Sequence, residues 1–437
     1  MKLNKGDKKL INAWAFYDWA NSVYSLVIST AVFPIYYSSL TASFASVEGK
    51  IQFLGTQWTP TTLYNYTLAF SFLIVAFISP ILSGIADYTG NKLKFLKAFC
   101  LLGSLSVMSL FFFKGESTLW IGLGFTVLAS IGFGGSIVFY NAFLPEVAHP
   151  EQQDDVSAKG FIYGYIGSVI LMVFSLFMIN NFEVFGFSDA GFATRITFLL
   201  VGVWWLGFAQ ITYKRLPNNV YNRRPSNDFI WKGLRELKIV LIELKQLPEL
   251  KYFLIAFFMF STGVQTVILM AGIFGSKELG LPTTDLIIVI LLVQIVAIAG
   301  AFIFSRMSDR IGNISTLKIT ISIWAIVCLI AFNLDKTMEN VQYYFYLLGG
   351  LIGMVMGAIQ SLSRSTYSKL LPDTQDHATY FSFYDVTEKI SIVLGMLVFG
   401  ILIALTGSMH WSVLFLAIFF IISFVLLNFV GKTRYVS

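Results

Sequence analysis

Apolar residues along this chain come in runs of about 20, separated by short polar segments, with no regular alternation of the two classes inside a run. At 1.5 Å rise per residue, such a run crosses a hydrocarbon layer about 30 Å thick. The runs fall at roughly 12–40, 64–86, 94–113, 119–143, 160–180, 192–213, 251–275, 284–305, 316–334, 342–366, 380–406 and 411–431, which predicts twelve membrane-spanning helices. The period-two pattern of a membrane barrel is absent. The chain therefore reads as an all-α membrane protein.

The longest polar stretch divides the spans six and six: a first half at 1–213, a linker at 214–250 and a second half at 251–437. Within the linker, FIWKGLRELKIVLIELKQL at 229–247 places Phe229, Ile230, Leu234, Leu237, Leu241, Ile242 and Leu244 broadly on one side of a helix. Lys232, Arg235, Glu236, Lys238, Glu243 and Lys245 fall mostly on the other. This is the pattern of a basic amphipathic helix on a membrane surface, and its plain reading is a tether between halves.

The basic residues are unevenly placed. With the N-terminus inside, the cytoplasmic segments hold Lys2, Lys5, Lys8, Lys9, Lys92, Lys94, Lys97 and the dense group from Lys214 to Lys251. Arg306, Arg310, Lys318, Arg364, Lys369, Lys432 and Arg434 fall on the same side, whereas the outer segments hold only Lys50, Lys114, Arg195, Lys277 and Lys336. Positive residues stay inside, which predicts both termini in the cytoplasm. The basic head of the chain is like that of a signal peptide, but no small-residue cleavage site follows, so the segment reads as a retained first span.

Composition agrees. Of 437 residues 56% are hydrophobic and only 12% charged, against roughly 25% charged in soluble domains. The formal charge of +6 sits in segments between spans, where its neighbours are anionic lipid headgroups and not nucleic acid. Cys100 and Cys328 lie alone in apolar runs and read as buried free thiols; His149, His377 and His410 are isolated, so no metal site is expected. No GxxxxGK[ST] loop, no H-E-x-x-H and no Ser/His arrangement appears, which argues against ATP drive, against an enzyme and against a cofactor.

The halves repeat each other. SGIADYTGNK at 83–92 follows the second span and SRMSDRIGNI at 305–314 follows the eighth, both carrying D-x-x-G-N; LPE at 144–146 and LPD at 371–373 follow the fourth and tenth. Repeated six-helix halves point to a transporter with its substrate path at their interface. Asp87 stands where the second helix ends and opposes that helix's dipole, so it should answer another helix's positive end or a cation. Gly90 suits a left-handed turn, and Lys92 adds inside-positive charge.

The segment Ser83-Gly84-Ile85-Ala86-Asp87-Tyr88-Thr89-Gly90-Asn91-Lys92 resembles the G-x-L-A-D-x-x-G-R-K loop of the major facilitator superfamily, with Ser83 in place of its first Gly and Asn91 in place of its Arg. The resemblance implies that fold, and a contact of Asp87 with the cytoplasmic end of span eleven around Tyr380 to Lys389. Asp87, Gly90, Lys92, Asp309, Arg310, Gly312, Asp385 and Lys389 are accordingly the candidate cytoplasmic gate. NAWAFYDWANSVYS at 12–25, VFYNAFLPEVA at 138–148, GFIYGYIG at 160–167, QSLSRSTYSKLLP at 360–372 and YFSFYDVTEKISIVLG at 380–395 resemble a narrower family, the major facilitator proteins related to the autophagy-associated vacuolar effluxers. Its fungal members are linked to amino-acid export, which makes amino acids one expected cargo.

Polar residues inside spans mark the candidate substrate path. Asp18 and Asn21 share a face of span one with Ser22, and Tyr24 lies deeper. An ionisable group in a span costs at least about 2.5 kcal/mol unless it faces water or a partner; Asp18 lies either on the cavity or in an interfacial cap or salt bridge. Tyr140 and Asn141 close span four, and Gln360 and Arg364 hold a similar place in span ten. Arg364 is either a carboxylate fork or an inside-positive anchor with Lys369. Gln265, Gln294 and Glu388 complete the set. Gly160, Gly164 and Gly167, with Gly349, Gly350, Gly353 and Gly357, allow close helix contact.

These features predict a monomeric secondary transporter or facilitator of a small polar solute, in a bacterial inner membrane, working by alternating access. Asp18, Asp385 and Glu388 are the acids available for proton or other ion coupling. The competing reading is a sensor or scaffold with a transporter fold and no flux.

Overall fold

The computed structural model describes residues 4–218 and 229–431. Lys2, Lys432 and Arg434, used in the charge count, lie outside them, as do the side chains of Phe229, Ile230, Lys232 and Glu236.

Twelve helices long and apolar enough to span a membrane are present among the described residues. They are α1 Lys8–Ala42, α2 Pro60–Thr89, α3 Lys92–Ser109, α4 Leu119–Asn141, α5 Gln153–Asn180 and α6 Ala190–Tyr213 in the first half. The second half contains α7 Pro248–Lys277, α8 Thr283–Ile311, α9 Asn313–Asn333, α10 Val341–Leu370, α11 His377–Thr406 and α12 Met409–Leu426. The linker helix is Phe229–Gln246, and a hairpin of β1 Ile51–Phe53 and β2 Thr56–Trp58 closes the α1–α2 loop. An even number of crossings brings the first and last described residues to one face, here the termini face.

Several helices run past the apolar windows that predict them. The α5 helix starts at Gln153, not near 160, and α10 continues to Leu370, not 366. Their polar end turns are helical because neighbouring helices bond the side chains there, which hydropathy does not register.

Ends and bends have local causes. Thr59 caps α2 and is followed by Pro60, whose missing N–H costs nothing at the first helical position. Gly90 ends α2 at φ +68°, the left-handed conformation that glycine adopts without steric penalty. In α1 the hydrogen-bonding widens to π geometry over Tyr24–Val32, where the Thr30 hydroxyl donates to the Ser25 carbonyl five residues back.

Small residues set the closest crossings. A side chain at Gly353 or Gly357 would strike the α8 backbone at Val293 and Ala297, so α8 and α10 pack backbone to backbone. Gly164 and Gly167 admit Ser22 and Trp19 of α1 against α5 in the same way, whereas Gly350 faces open space. Trp14, Trp205, Trp324, Tyr140 and Tyr367 are buried, while Phe77, Leu397, Ile401 and Leu405 point outward. On a soluble protein such an exterior would aggregate; here it is the lipid face. Cys100 and Cys328 are buried free thiols.

The linker helix corrects the two-sided pattern expected of it. Val240 is buried and Leu237 and Leu244 half-buried, but Leu241 and Ile242, expected on the same apolar side, are exposed. Glu243, expected in solvent, accepts a hydrogen bond from Tyr380 of α11 at 2.8 Å. The helix packs against α2, and that contact selects its inner face.

Candidate functional site

The polar contacts that join the two halves gather toward the termini face. The deepest group centres on Arg364, about two turns before α10 ends and only 3% exposed. One of its terminal nitrogens lies 3.2 Å from Asp18 Oδ2 and 3.3 Å from Asn141 Oδ1. The other donates to the Ser157 carbonyl at 2.8 Å, and Nε donates to the Ser157 hydroxyl at 2.9 Å. Tyr140 donates to Asp18 Oδ2 at 2.8 Å, so the carboxylate is held by one cation and one hydroxyl. The guanidinium lies 4.2 Å from the Phe161 ring centre, 4.9 Å from that of Trp14 and 5.4 Å from that of Tyr140. A planar cation between aromatic faces and a carboxylate makes a site for paired charges.

Local sequence explains how the group fits together. The Trp14 indole stacks on Tyr140 at 4.5 Å and donates to its carbonyl, fixing the end of α4 against α1. Gly160 has no side chain because a Cβ there would meet Asp18, Tyr140 and Arg364. Toward the membrane centre, Tyr165 of α5 donates to Gln360 of α10 at 2.8 Å.

A second group lies on α11. Lys389 Nζ sits 3.4 Å from Asp385 Oδ1 and 3.2 Å from Glu388 Oε2, so one ammonium serves two carboxylates. Glu388 also accepts from Gln265 of α7 at 2.9 Å. Asp385 is buried, and among the described residues neither of its oxygens accepts a hydrogen bond. Phe72 of α2 lies 5.9 Å from the ammonium, which brings the first half against this group.

A third group seals the termini face. Asp87 accepts the backbone N–H groups of Ala378 and Thr379 at 3.2 and 2.7 Å and the Thr379 hydroxyl at 2.8 Å. These are first-turn donors of α11, where a carboxylate satisfies orphan N–H groups and complements the helix dipole. Lys92 lies 3.9 Å from Asp87 and pairs with Glu146, which in turn meets His377 Nδ1 at 3.0 Å. Asp376, just before α11, has its carboxyl pushed above the ordinary range by burial and by neighbouring Glu243.

The second sequence repeat does not copy the first. Asp309 and Arg310 are exposed, and Ser308 and Asn313 on either side carry the contacts. The acid comes from α5 instead: Asp154 accepts from Ser308 at 2.8 Å, Asn313 at 2.7 Å and Lys369 at 2.7 Å. Gly312, at φ +83° and ψ 155°, leaves α8 by a path different from that of Gly90. Within α8 itself, Ser308 faces the seam and Asp309 beside it faces away.

The structure thus brings Asp18, Tyr140, Asn141 and Arg364 into one cluster, with Gln360 beside it, and Gln265, Asp385, Glu388 and Lys389 into another. Tyr24 does not join them: it packs inside the first half between Phe133 at 5.0 Å and Trp205 at 5.8 Å. Asn21 is buried, with its amide nitrogen unpartnered among the described residues. Gln294 is half-buried on α8 and belongs to neither cluster. Ser157, Phe161, Asp154, Glu146 and His377 were not singled out by sequence as contacts, although Glu146 is the acid of the repeated LPE and His377 lies in the polar segment after LPD.

The chain matches the family described as vacuole effluxer Atg22-like over residues 6–435. It is 35% identical over 425 residues, 96% of this chain and 94% of the relative, to the uncharacterized MFS-type transporter YxiO of Bacillus subtilis. It is 25% identical over 400 residues, 84% of this chain and 77% of the relative, to autophagy-related protein 22 of Eremothecium gossypii. Among solved structures, the fold is similar to that of the major facilitator superfamily transporter FucP in its outward conformation, with TM-score 0.67, 13% identity and coverage of 97% and 99% of the two chains. It is also similar to the proton:xylose symporter XylE, with TM-score 0.69, 13% identity and coverage of 98% and 96%.

Proposed function

Given that the chain belongs to the Atg22-like effluxer family of major facilitator transporters, we propose that its cargo is an amino acid, moved between its two six-helix halves by alternating access. The observation that carries this reading is the buried ion pair of Asp18 and Arg364 across the halves. Separating a buried pair leaves two uncompensated charges, and losing one partner costs about 3–5 kcal/mol. A free α-amino acid carries one ammonium and one carboxylate on the same carbon atom. Its ammonium can take the place of Arg364 beside Asp18, and its carboxylate can meet the fork of Arg364 by two parallel hydrogen bonds. The bound solute then bridges Asp18 and Arg364, so the two side chains part by the width of that molecule with every charge still paired. Trp14, Tyr140 and Phe161 supply the apolar wall.

In this reading both termini are cytoplasmic, the side that the inside-positive tendency of Lys and Arg favours, and the membrane is a bacterial plasma membrane. The contacts of Asp87, Lys92 and Asp154 at that face then form a closed cytoplasmic gate, with the path open to the outside. Asp385, Glu388 and Lys389 change partners as α11 moves. Their two carboxylates and one ammonium leave one negative charge, which a coupling proton neutralises.

Counterflow of radiolabelled amino acids in proteoliposomes, with and without a pH gradient, tests the proposal. Saturable exchange that Arg364→Lys and Asp18→Asn abolish is expected; no exchange of any amino acid would exclude the cargo. Glu388→Gln is expected to abolish transport at normal expression, and unchanged transport would reduce the α11 group to a structural helix start.

A further inference from the structure

The linker helix has an outer face that the transport cycle proposed above does not use. Trp231, Arg235, Lys238, Ile242 and Lys245 follow one another at spacings of four, three, four and three residues, which places all five on one stripe. All five are exposed, Trp231 at 74% and Ile242 at 49%. The opposite side is anchored: Val240 is buried, and Glu243 is bonded to Tyr380. The helix therefore cannot roll its stripe inward without losing those contacts. Its last residue, Gln246, lies two positions before Pro248, where α7 begins, so its C-terminal end sits where a span enters the membrane.

We infer that this stripe is a binding surface for anionic phospholipid in the leaflet at the termini face. The chemistry is complementary on both counts. An indole and a branched alkyl group favour the boundary between headgroups and acyl chains. Three cations among them, with no acid on the stripe, favour phosphate-bearing headgroups of net negative charge. Each basic residue near an anionic surface is worth roughly a fivefold gain in partitioning. The three together favour an anionic over a zwitterionic surface by on the order of a hundredfold. A tether that only spanned two halves would need neither the tryptophan nor the cations on the side facing away from the bundle.

Trp231 is its own reporter. The full-length protein is reconstituted in vesicles in which either phosphatidylglycerol or phosphatidylcholine carries bromine on its acyl chains, at equal mole fraction. The Trp231 signal is taken as the difference between the parent and Trp231→Phe. Expected is stronger quenching of Trp231 by the brominated phosphatidylglycerol. That preference should vanish in the triple variant Arg235→Gln, Lys238→Gln, Lys245→Gln. It should also weaken as salt is raised from about 0.1 M to about 1 M, which shortens the screening length from about 10 Å to about 3 Å. Equal quenching by the two lipids would overturn the assignment of anionic lipid, and quenching by neither would overturn the membrane contact itself. Elution volume and helicity identical to the parent show that each variant is folded. The readout needs no solute, so it stands or falls apart from the cargo proposal.

Discussion

At Arg364 a guanidinium is shielded from solvent by three aromatic rings, a serine and one carboxylate that lies 346 residues away in sequence. Truncation to Arg364→Ala strands Asp18, and a loss of about 3–5 kcal/mol is expected, visible as a lower Tm in detergent. Replacing both partners by apolar residues, Asp18→Leu with Arg364→Met, should restore most of that stability and none of the transport. Recovery of transport in the double variant would show that the pair only packs. Gly160→Ala places a methyl group against Asp18, Tyr140 and Arg364. It should cost about 1–3 kcal/mol and impair transport although it changes no polar group.

Between elements, the start of α11 is held by charges from three other places: Asp87 of α2, Glu146 after α4, and Glu243 of the linker helix. Asp87→Asn keeps the shape and removes the charge that complements the α11 dipole, an effect of about 0.3–2 kcal/mol. Spin labels on the termini ends of α2 and α11 should then show a larger population at the longer distance. An unchanged distribution would remove Asp87 from the gate. Asp376 gives a test with a defined sign. Its carboxyl is raised on folding by burial and by Glu243, so the folded state binds its proton more tightly than the unfolded chain. That contribution is full below the ordinary carboxylate range and is lost as pH rises through the folded value. Asp376→Asn should therefore match the parent in acid and exceed it in Tm near neutrality.

Across the whole molecule, the bonds between halves lie toward one face, where Asp87 and Asp154 hold opposite sides of the seam by different means. The native thiols Cys100 and Cys328 are fully buried, so an introduced cysteine is read against a quiet background. Gln265→Cys should react with an impermeant thiol reagent added at the face opposite the termini, and not with reagent added at the termini face. Modification from the termini side alone would reverse the direction of opening.

Twelve spans in two repeated halves were legible in the sequence because insertion into a membrane is a local property: transfer free energies add along about 20 consecutive residues. The repeat itself was legible too, since D-x-x-G-N recurs at equivalent places. Partnership was not. Asp87 and Asp309 occupy the same position of the same motif, yet one is buried against a helix start and the other is exposed. The difference lies in the rotation of each helix about its own axis and in what the opposite half presents. Tyr24 and Arg364 both read as polar groups in apolar runs, but only Arg364 lies on the seam. A side chain's direction is set by helix rotation, and rotation is fixed by packing against helices far away in sequence. The pairing of Asp18 with Arg364, the place of Asp154 and the outward stripe of the linker helix were therefore decided by tertiary structure alone.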